Sequence, residues 1–231
     1  MKQDSKETVL MELEHVGKIR GEKHVLHDVS FAVKAGRIIG VAGDNGQGKT
    51  TLLALMAGLL RTDVGVIRRY ADRISYVNVK EEFYNWMKVK DALFFYRDYY
   101  DNFDIARAEQ LLEENGIAQQ MKISVLSRGL QERLFLILAV SQTAEIYLMD
   151  EPFSGLDPYF KKDIRRFLLQ NLPENATIVM TTHLLREMEQ LFDEVIFVMK
   201  SGVQLLKTDE IREKYGKSVE QYYLEVMKHE R

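Results

Sequence analysis

Hydrophobic and polar residues alternate with a period of two in the first third of this chain. Valine and leucine alternate with polar residues near positions 9–16 and 25–33, and a second alternating stretch covers 65–79. Such alternation is typical of strands that bury one face. The pattern therefore predicts an antiparallel β-subdomain over about residues 8–35 and 62–79.

Longer apolar segments dominate the rest of the chain. The sequence RIIGVAG at 37–43 predicts a buried strand, and KTTLLALMAGLL at 49–60 predicts a helix. After residue 144, apolar strands and amphipathic helices alternate, which favours a parallel sheet. Between about residues 88 and 142 the helical period prevails. The whole pattern predicts an α/β fold with a helical insertion.

The length of 231 residues suits one domain, so we expect a single domain over 1–231. Its predicted core covers 36–61 and 143–207. The inserted helical subdomain is expected over about 80–142, between the two parts of the core. Two short helices are expected over 208–231.

One helix of the insertion is marked at both ends. Asp104 is placed to cap its start, and Gly116 is placed to end it. The apolar residues that would share one face of this helix are Ile105, Ala108, Leu111 and Leu112. This spacing predicts an amphipathic helix with one apolar face.

Composition limits the classes of partner. The chain has 32 basic and 35 acidic residues, a net charge of −3, and no cysteine. We therefore expect no nucleic-acid partner and no disulfides. The longest apolar run, 134–140, is far shorter than the roughly 20 residues of a membrane span, and the first residues lack the apolar segment of a signal peptide. We expect a soluble, cytoplasmic chain.

A glycine-rich loop joins the strand at 37–43 to the helix that follows it. It matches the pattern G-x-x-x-x-G-K-[S/T], and a strand–loop–helix context makes a chance glycine turn a poor alternative. Backbone N–H groups of 44–51 are expected to surround phosphates, with Lys49 at the β- and γ-phosphates and Thr50 on Mg²⁺. The residues predicted to bind nucleotide here are Gly43, Asp44, Asn45, Gly46, Gln47, Gly48, Lys49, Thr50 and Thr51.

Two carboxylates follow the predicted strand EIYLMD. Parallel strands end on the same side of the sheet as the phosphate-binding loop, so Asp150 is predicted to hold Mg²⁺ and Glu151 to activate water as a general base. A solvated acidic turn is the alternative. His183 ends the next predicted core strand, where it could contact the γ-phosphate, although a lone histidine is often structural.

A second candidate anion site precedes an apolar helix. The segment LSRGLQERL places Ser127 before that helix, where it could be only an N-cap. A hydroxyl, a glycine and a helix N-terminus could also bind a phosphate. One chain does not need two sites for the same γ-phosphate. Two chains that face each other could each use this second site on the nucleotide of the other. The residues of this signature segment are Ser127, Arg128, Gly129, Leu130 and Gln131.

These motifs, in this order, resemble the ATP-binding subunit of ABC transporters. GDNGQGKTT is similar to the Walker A loop, LSRGLQERL to the ABC signature, IYLMDEP to Walker B with its catalytic glutamate, and TTH to the H-loop. The segment similar to the D-loop contains Ser154, Gly155, Leu156 and Asp157. The resemblance implies a P-loop NTPase (RecA-like) core that binds ATP and Mg²⁺. It also implies that two such subunits enclose two ATP molecules, each between one Walker A loop and the other chain's signature.

The resemblance further implies a membrane partner. The signature, the segment EEFYNWMKVKDALFFYRDYYDNFD and the ending SVEQYYLEVMK look most like ABC-2-type exporters, within which the chain is similar to bacterial antibiotic- and peptide-resistance ATPases. An integral membrane permease would dock near residues 79–103, which are rich in aromatic residues, and hold the chain on the inner face of the membrane. Substrates of that class are peptides, antibiotics or lipid-like molecules.

Two positions depart from the family pattern. Val79 stands where the family usually has glutamine, and Glu81 or Glu82 would have to substitute for it. Arg20 stands where an aromatic residue usually stacks on adenine, and a guanidinium can also stack. If neither compensates, the chain would be a catalytically weak, nucleotide-gated regulatory partner in a hetero-dimeric ABC complex. That is the alternative to an active ATPase.

Overall fold

The computed structural model describes residues 8–78, 83–152 and 158–229. Its strands are β1 (Val9–Arg20), β2 (Lys23–Lys34), β3 (Ile38–Ala42), β4 (Val64–Arg69), β5 (Ile74–Asn78), β6 (Ile146–Asp150), β7 (Thr177–Thr181), β8 (Glu194–Met199) and β9 (Gly202–Lys207). Its helices are α1 (Lys49–Met56), α2 (Val89–Tyr99), α3 (Ile105–Glu114), α4 (Arg128–Val140), α5 (Pro158–Asn171), α6 (Leu185–Met188), α7 (Thr208–Tyr215) and α8 (Val219–His229).

The larger sheet forms the centre of the fold. Its strand order is β5-β6-β7-β3-β8-β9, and every pairing is parallel except that of β8 with β9. Adjacent parallel strands end on the same side, so the loops after β3, β6 and β7 meet at one edge of this sheet. That edge carries the glycine-rich loop and the predicted carboxylates.

The smaller sheet is antiparallel and has the order β2-β1-β4. It contains the predicted strands near the N-terminus but only part of the second antiparallel region. The expectation for 62–79 is corrected here: β4 joins the small sheet, whereas β5 pairs in parallel with β6 at the edge of the core sheet. Polar alternation did not identify the partner, because the polar residues of β5 are no sign of an exposed face: Ser75 is buried, and Ile74 and Tyr76 are partly buried against a core cluster.

Alternate residues of the core strands face two separate hydrophobic clusters. On β3, Ile39 and Val41 join the cluster that includes α1 and the small sheet, whereas Ile38 and Ala42 join the cluster that includes α2, α3 and α4. Strands β6, β7 and β8 divide in the same way. Because both faces are covered, these strands read as continuous apolar runs rather than as alternating ones.

The observed architecture confirms the predicted α/β class, with an antiparallel β-subdomain and helices α2, α3 and α4 inserted between β5 and β6. The limits of the subdivisions within one domain remain predictions. Within the described ranges, no helix combines the length and the apolar composition needed to cross a membrane.

Candidate functional site

The phosphate-binding loop (residues 43–51) leaves the core sheet after β3 and enters α1. Gly48 caps α1 with a φ of 107°, a left-handed conformation that favours glycine. A Cβ at Gly43 would lie 2.6 Å from the Val198 carbonyl oxygen, and one at Gly48 would lie 2.9 Å from Val25. Glycine is therefore required at both positions for the loop to pass close to its neighbours.

Part of the hydrogen-bonding capacity of the loop is used internally. The Asp44 N–H donates to Oε1 of Gln47 at 2.7 Å, and the Gln47 N–H donates to the Asp44 carbonyl at 3.3 Å. The expectation that all N–H groups of 44–51 point at phosphates is corrected for these two residues. The Gln47 side chain fixes the shape of the loop, and phosphate binding would fall to its other N–H groups.

Lys49 lies beneath the loop with its side chain almost completely buried. Its ammonium group donates to the carbonyl oxygens of Gly43 at 2.7 Å and Asp44 at 3.1 Å. These bonds hold the charge inside the curve of the loop. A buried ammonium group at this point favours a bound anion, because a nearby negative charge offsets the cost of its burial.

Asp150 receives two hydroxyl donors at the end of β6. The Thr50 hydroxyl donates to one carboxylate oxygen at 2.7 Å, and the Thr181 hydroxyl donates to the other at 2.5 Å. Asp150 is 2% exposed. Strand β7, which pairs with β6, delivers Thr181 to this point, so the structure brings the two predicted metal ligands, Thr50 and Asp150, into direct contact.

Glu151 adopts a strained backbone conformation beside this corner. Its φ is 53°, which is uncommon for a residue other than glycine. Its N–H donates to the Thr181 hydroxyl at 2.8 Å, and its carboxylate lies 2.5 Å from Nδ1 of His183. The two predicted catalytic residues, Glu151 and His183, therefore contact each other, and Thr181 bridges the Glu151 backbone to Asp150.

A cavity of about 570 Å³ opens above the loop. It is lined by Arg20, Lys23, Val25, Asn45, Gly46, Gly48, Lys49, Thr50, Thr51, Asp150 and Glu151. Arg20 is among these lining residues, and its stacking on a base remains a prediction. Two of the lining residues, Thr50 and Asp150, carry the hydroxyl and carboxylate oxygens that Mg²⁺ prefers as ligands, so they fit a magnesium ion held jointly with nucleotide phosphates.

The signature segment lies elsewhere on the chain, at the start of α4. The Ser127 hydroxyl caps that helix by accepting from the Leu130 N–H at 3.4 Å, and the Gln131 amide donates to the Ile123 and Leu126 carbonyls at 3.1 and 3.2 Å. Of the described residues that line the nucleotide cavity, none belongs to this segment. The structure does not bring the two anion sites of one chain together, and binding of a second chain's nucleotide remains a prediction.

Four residues at or beside the site were not identified from sequence, and one of them is Val25, which lines the cavity. Thr181 joins Asp150 to Glu151, Lys23 lines the cavity beside Arg20, and Tyr223 donates to Asp44 at 2.8 Å. Thr181 stands in the TTH motif and could have been found there, because it ends the strand next to Asp150. Nothing local marks Lys23 or Tyr223.

Several predicted positions lie outside the described residues. They are Val79, Glu81, Glu82 and the D-loop residues Ser154, Gly155, Leu156 and Asp157. Their predicted roles remain predictions.

Aromatic residues of the helical insertion form a groove of about 290 Å³, here called the aromatic groove. It is lined by Phe83, Tyr84, Trp86, Met87, Phe95, Tyr96, Tyr100 and Phe135. The rings of Tyr84 and Trp86 stack at 5.9 Å and are 71% and 64% exposed. Exposed aromatic rings beside a groove are typical of surfaces that bind another protein.

Comparison with known proteins agrees with these observations. Residues 26–154 match the sequence profile of the family described as ABC transporter. The ABC transporter ATP-binding protein YtrB of Bacillus subtilis (strain 168) is 29% identical over 220 residues, covering 90% of this chain and 75% of that protein. The sulfate/thiosulfate import ATP-binding protein CysA of Yersinia pestis is 28% identical over 222 residues, covering 87% of this chain and 61% of that protein.

A solved structure described as an ATP-binding subunit of an ABC transporter superposes with a TM-score of 0.81. It is 25% identical to this chain, and the match covers 94% of this chain and 99% of that one. The shared fold is that of a P-loop NTPase core with an antiparallel β-subdomain. The profile match spans more than half of the chain, and the site geometry lies within the matched fold. This chain therefore belongs to the ABC transporter family, as an ATP-binding subunit.

Proposed function

We propose that this chain hydrolyses ATP as one of two subunits that enclose two Mg-ATP molecules, and that it drives transport through a separate membrane subunit. One observation carries the proposal. Thr50, Asp150, Glu151 and His183 form a continuous set of contacts through Thr181. Thr50, Asp150 and Glu151 line the same cavity as Lys49.

Each of these residues has a chemical task in the proposal. The Lys49 ammonium group and N–H groups of the loop other than those of Asp44 and Gln47 bind the phosphates. Thr50 and Asp150 hold Mg²⁺, which when bound neutralises part of the phosphate charge. Glu151 accepts the proton of the attacking water, and His183 holds the Glu151 carboxylate in place through their 2.5 Å contact. Such a base works when it is fixed beside the γ-phosphate rather than free in solution.

The second subunit completes the site. Ser127, Gly129 and the N–H groups at the start of α4 would contact the γ-phosphate held by the facing chain, because a helix N-terminus with an exposed hydroxyl favours an anion. The signature segment does not reach its own cavity, and this supports a partner that supplies it.

ATPase activity per chain at increasing protein concentration tests this proposal. Specific activity should rise with concentration and approach a plateau as pairs form, and it should depend on Mg²⁺. Glu151→Gln should lower the activity by about 10²–10⁴-fold, whereas Glu113→Gln, on the exposed face of α3, should leave it unchanged. Specific activity that stays constant from dilute to concentrated protein would contradict the requirement for a pair.

The aromatic groove is the proposed docking site for the membrane subunit. The docking region was predicted near residues 79–103, and the described part of it lines the groove with stacked, exposed rings. We infer export of a peptide, an antibiotic or a lipid-like molecule, supported by the resemblance of the signature and of this region to ABC-2-type exporters. The chain would then lie at the inner face of the membrane.

The direction of transport has its own test. The likeness to CysA, whose name describes import, supports the opposite direction. Cells that lack this chain should become more sensitive to amphipathic peptide antibiotics if it drives export. Unchanged sensitivity to such compounds, together with reduced uptake of a nutrient, would overturn the export inference while leaving the ATPase inference intact.

A catalytically weak regulatory subunit is the second candidate. It is favoured by Arg20, which lines the cavity where an aromatic ring was expected. This candidate predicts ATP binding without turnover by the isolated chain at any concentration, and turnover only when a different ATP-binding subunit is added. The contact between Glu151 and His183 favours the active form instead.

A further inference from the structure

The C-terminal helix α8 contacts the phosphate-binding loop through one side chain. The Tyr223 hydroxyl donates a hydrogen bond to a carboxylate oxygen of Asp44 at 2.8 Å. The two residues are 179 positions apart in the chain. Asp44 is exposed, and it does not line the nucleotide cavity, although its neighbours Asn45 and Gly46 do.

Tyr223 is held in place from below. Its ring stacks on Phe197 with the planes 15° apart and the centroids separated by 6.2 Å. Phe197 lies on β8, is buried, and pairs in register with Ala42, the residue that precedes the loop. Phe197 therefore contacts both the strand that precedes the loop and the ring of Tyr223, and Tyr223 in turn contacts Asp44 in the loop. Together these contacts fix the first half of the loop.

Helix α8 itself is anchored to the body of the protein. Val219 and Met227 are buried, and the Glu220 N–H donates to the Glu189 carboxylate at 3.2 Å. Burial, and then the hydrogen bond to Asp44, raise the pKa of Tyr223 well above its ordinary value. The hydroxyl therefore stays protonated, and remains a donor, throughout the physiological range of pH.

We propose that Tyr223 is a positioning residue for nucleotide binding, which holds the Asp44 carboxylate toward α8 and away from the bound phosphates. The proposal rests on the proposed function, since it requires a nucleoside triphosphate in the cavity. A carboxylate on the second residue of this loop would repel the phosphates if it turned inward. The bond to Tyr223 prevents that movement and reduces the freedom that the loop must lose when nucleotide binds.

The test removes only the hydroxyl. Tyr223→Phe should weaken the binding of Mg-AMP-PNP to the full chain by roughly three- to tenfold, since a hydrogen bond to a charged group is lost. The matched control is Tyr222→Phe. Tyr222 also contacts Phe197, but its hydroxyl interacts with Tyr215 rather than with the loop, so affinity should change by less than about twofold.

A double-mutant cycle shows whether the effect passes through Asp44. In an Asp44→Ala background the hydroxyl has lost its acceptor, so adding Tyr223→Phe should change the affinity by less than about twofold. Isothermal titration calorimetry gives the four dissociation constants. Steady-state kinetics on the same proteins should show a higher KM for ATP with kcat little changed, because Tyr223 touches neither the base nor the metal ligands.

The outcomes separate this proposal from the proposed function. Wild-type chain that fails to bind Mg-AMP-PNP overturns both. If the wild type binds, three results overturn the positioning role alone. They are unchanged affinity in Tyr223→Phe, an equal loss in Tyr222→Phe, and an undiminished effect of Tyr223→Phe when Asp44 is already alanine.

Discussion

The two ends of the nucleotide cavity are built differently. At the phosphate end, Lys49 and Asp150 are buried, and both make side-chain hydrogen bonds of 2.5–3.1 Å. At the opposite end, Arg20 and Lys23 are exposed cationic side chains on the small sheet, close to the turn between β1 and β2. At the phosphate end, burial and hydrogen bonds fix the side-chain conformations. At the other end, the exposed side chains can change rotamer.

The difference accounts for one of the two departures from the family pattern, Arg20; the other, Val79, lies outside the described residues. A change in the buried corner would leave a polar group without a partner, which costs about 1–3 kcal/mol for a neutral group and more for a charged one. A change at the exposed end costs little in stability and acts only on affinity. The aromatic residue that the family pattern favours is replaced at the exposed end, by Arg20, while the buried corner keeps its acidic and hydroxyl groups.

The largest effect should come from the base at the phosphate end. Glu151→Gln keeps the shape of the side chain but cannot accept the proton of water, so kcat should fall by about 10²–10⁴-fold while nucleotide still binds. Steady-state ATPase assays measure kcat, and equilibrium titration measures nucleotide binding. The control Glu113→Gln carries the same chemical change at an exposed position. Loss of binding together with activity would show that Glu151 is structural.

A smaller effect is expected at the bridging threonine. Thr181→Val removes the hydroxyl that links Asp150 to the Glu151 N–H, so turnover should fall roughly 10- to 100-fold, as for other residues that orient a metal ligand. The free energy of unfolding, measured in denaturant, should fall by about 1–3 kcal/mol, because the buried Glu151 N–H loses its acceptor.

Thr182→Val is the matched control for that variant. Thr182 is also buried, and its hydroxyl accepts from the Leu184 N–H at 2.9 Å. It should lose a similar amount of stability, about 1–3 kcal/mol, but much less activity. Equal loss of turnover in the two variants would mean that stability alone explains the effect, and the special role of Thr181 would be wrong.

The smallest effect should appear at the exposed end. Arg20→Ala should weaken ATP binding by roughly three- to tenfold, if the guanidinium plane stacks on the base. Arg20→Lys keeps the charge and loses the plane, so it should behave like alanine. Arg20→Tyr should bind at least as tightly as the wild type. Full retention of affinity by Arg20→Lys would show that charge, not stacking, acts at this end.

Local patterns were sufficient where a residue acts on its immediate neighbours. The helix predicted to start at Asp104 is confirmed as α3, and the Asp104 carboxylate accepts from the Arg107 N–H at 3.0 Å. Ser127 caps α4 as its position predicts. In each case the capping side chain and the N–H group that it accepts from are three residues apart, so a local sequence pattern is enough to predict the contact.

Contacts between distant segments could not be predicted in this way. The parallel partner of β5 is β6, which follows it only after the whole helical insertion, and polar alternation is the same for either sheet. The contact between Tyr223 and Asp44 joins opposite ends of the chain. The internal bond from Asp44 to Gln47 depends on a rotamer that no motif specifies.

The proposed role as a transporter subunit is tested most directly by identifying the proteins that co-purify with the ATP-bound pair from its native membrane. Tagged chain carrying Glu151→Gln would be purified from gently solubilised membranes with ATP and Mg²⁺. A second sample carrying Trp86→Ala in addition would test the aromatic groove. We predict a polytopic membrane protein in the first sample and its loss from the second. A tagged chain that stays in the soluble fraction, with ATP bound and no membrane protein attached, would contradict the transport role.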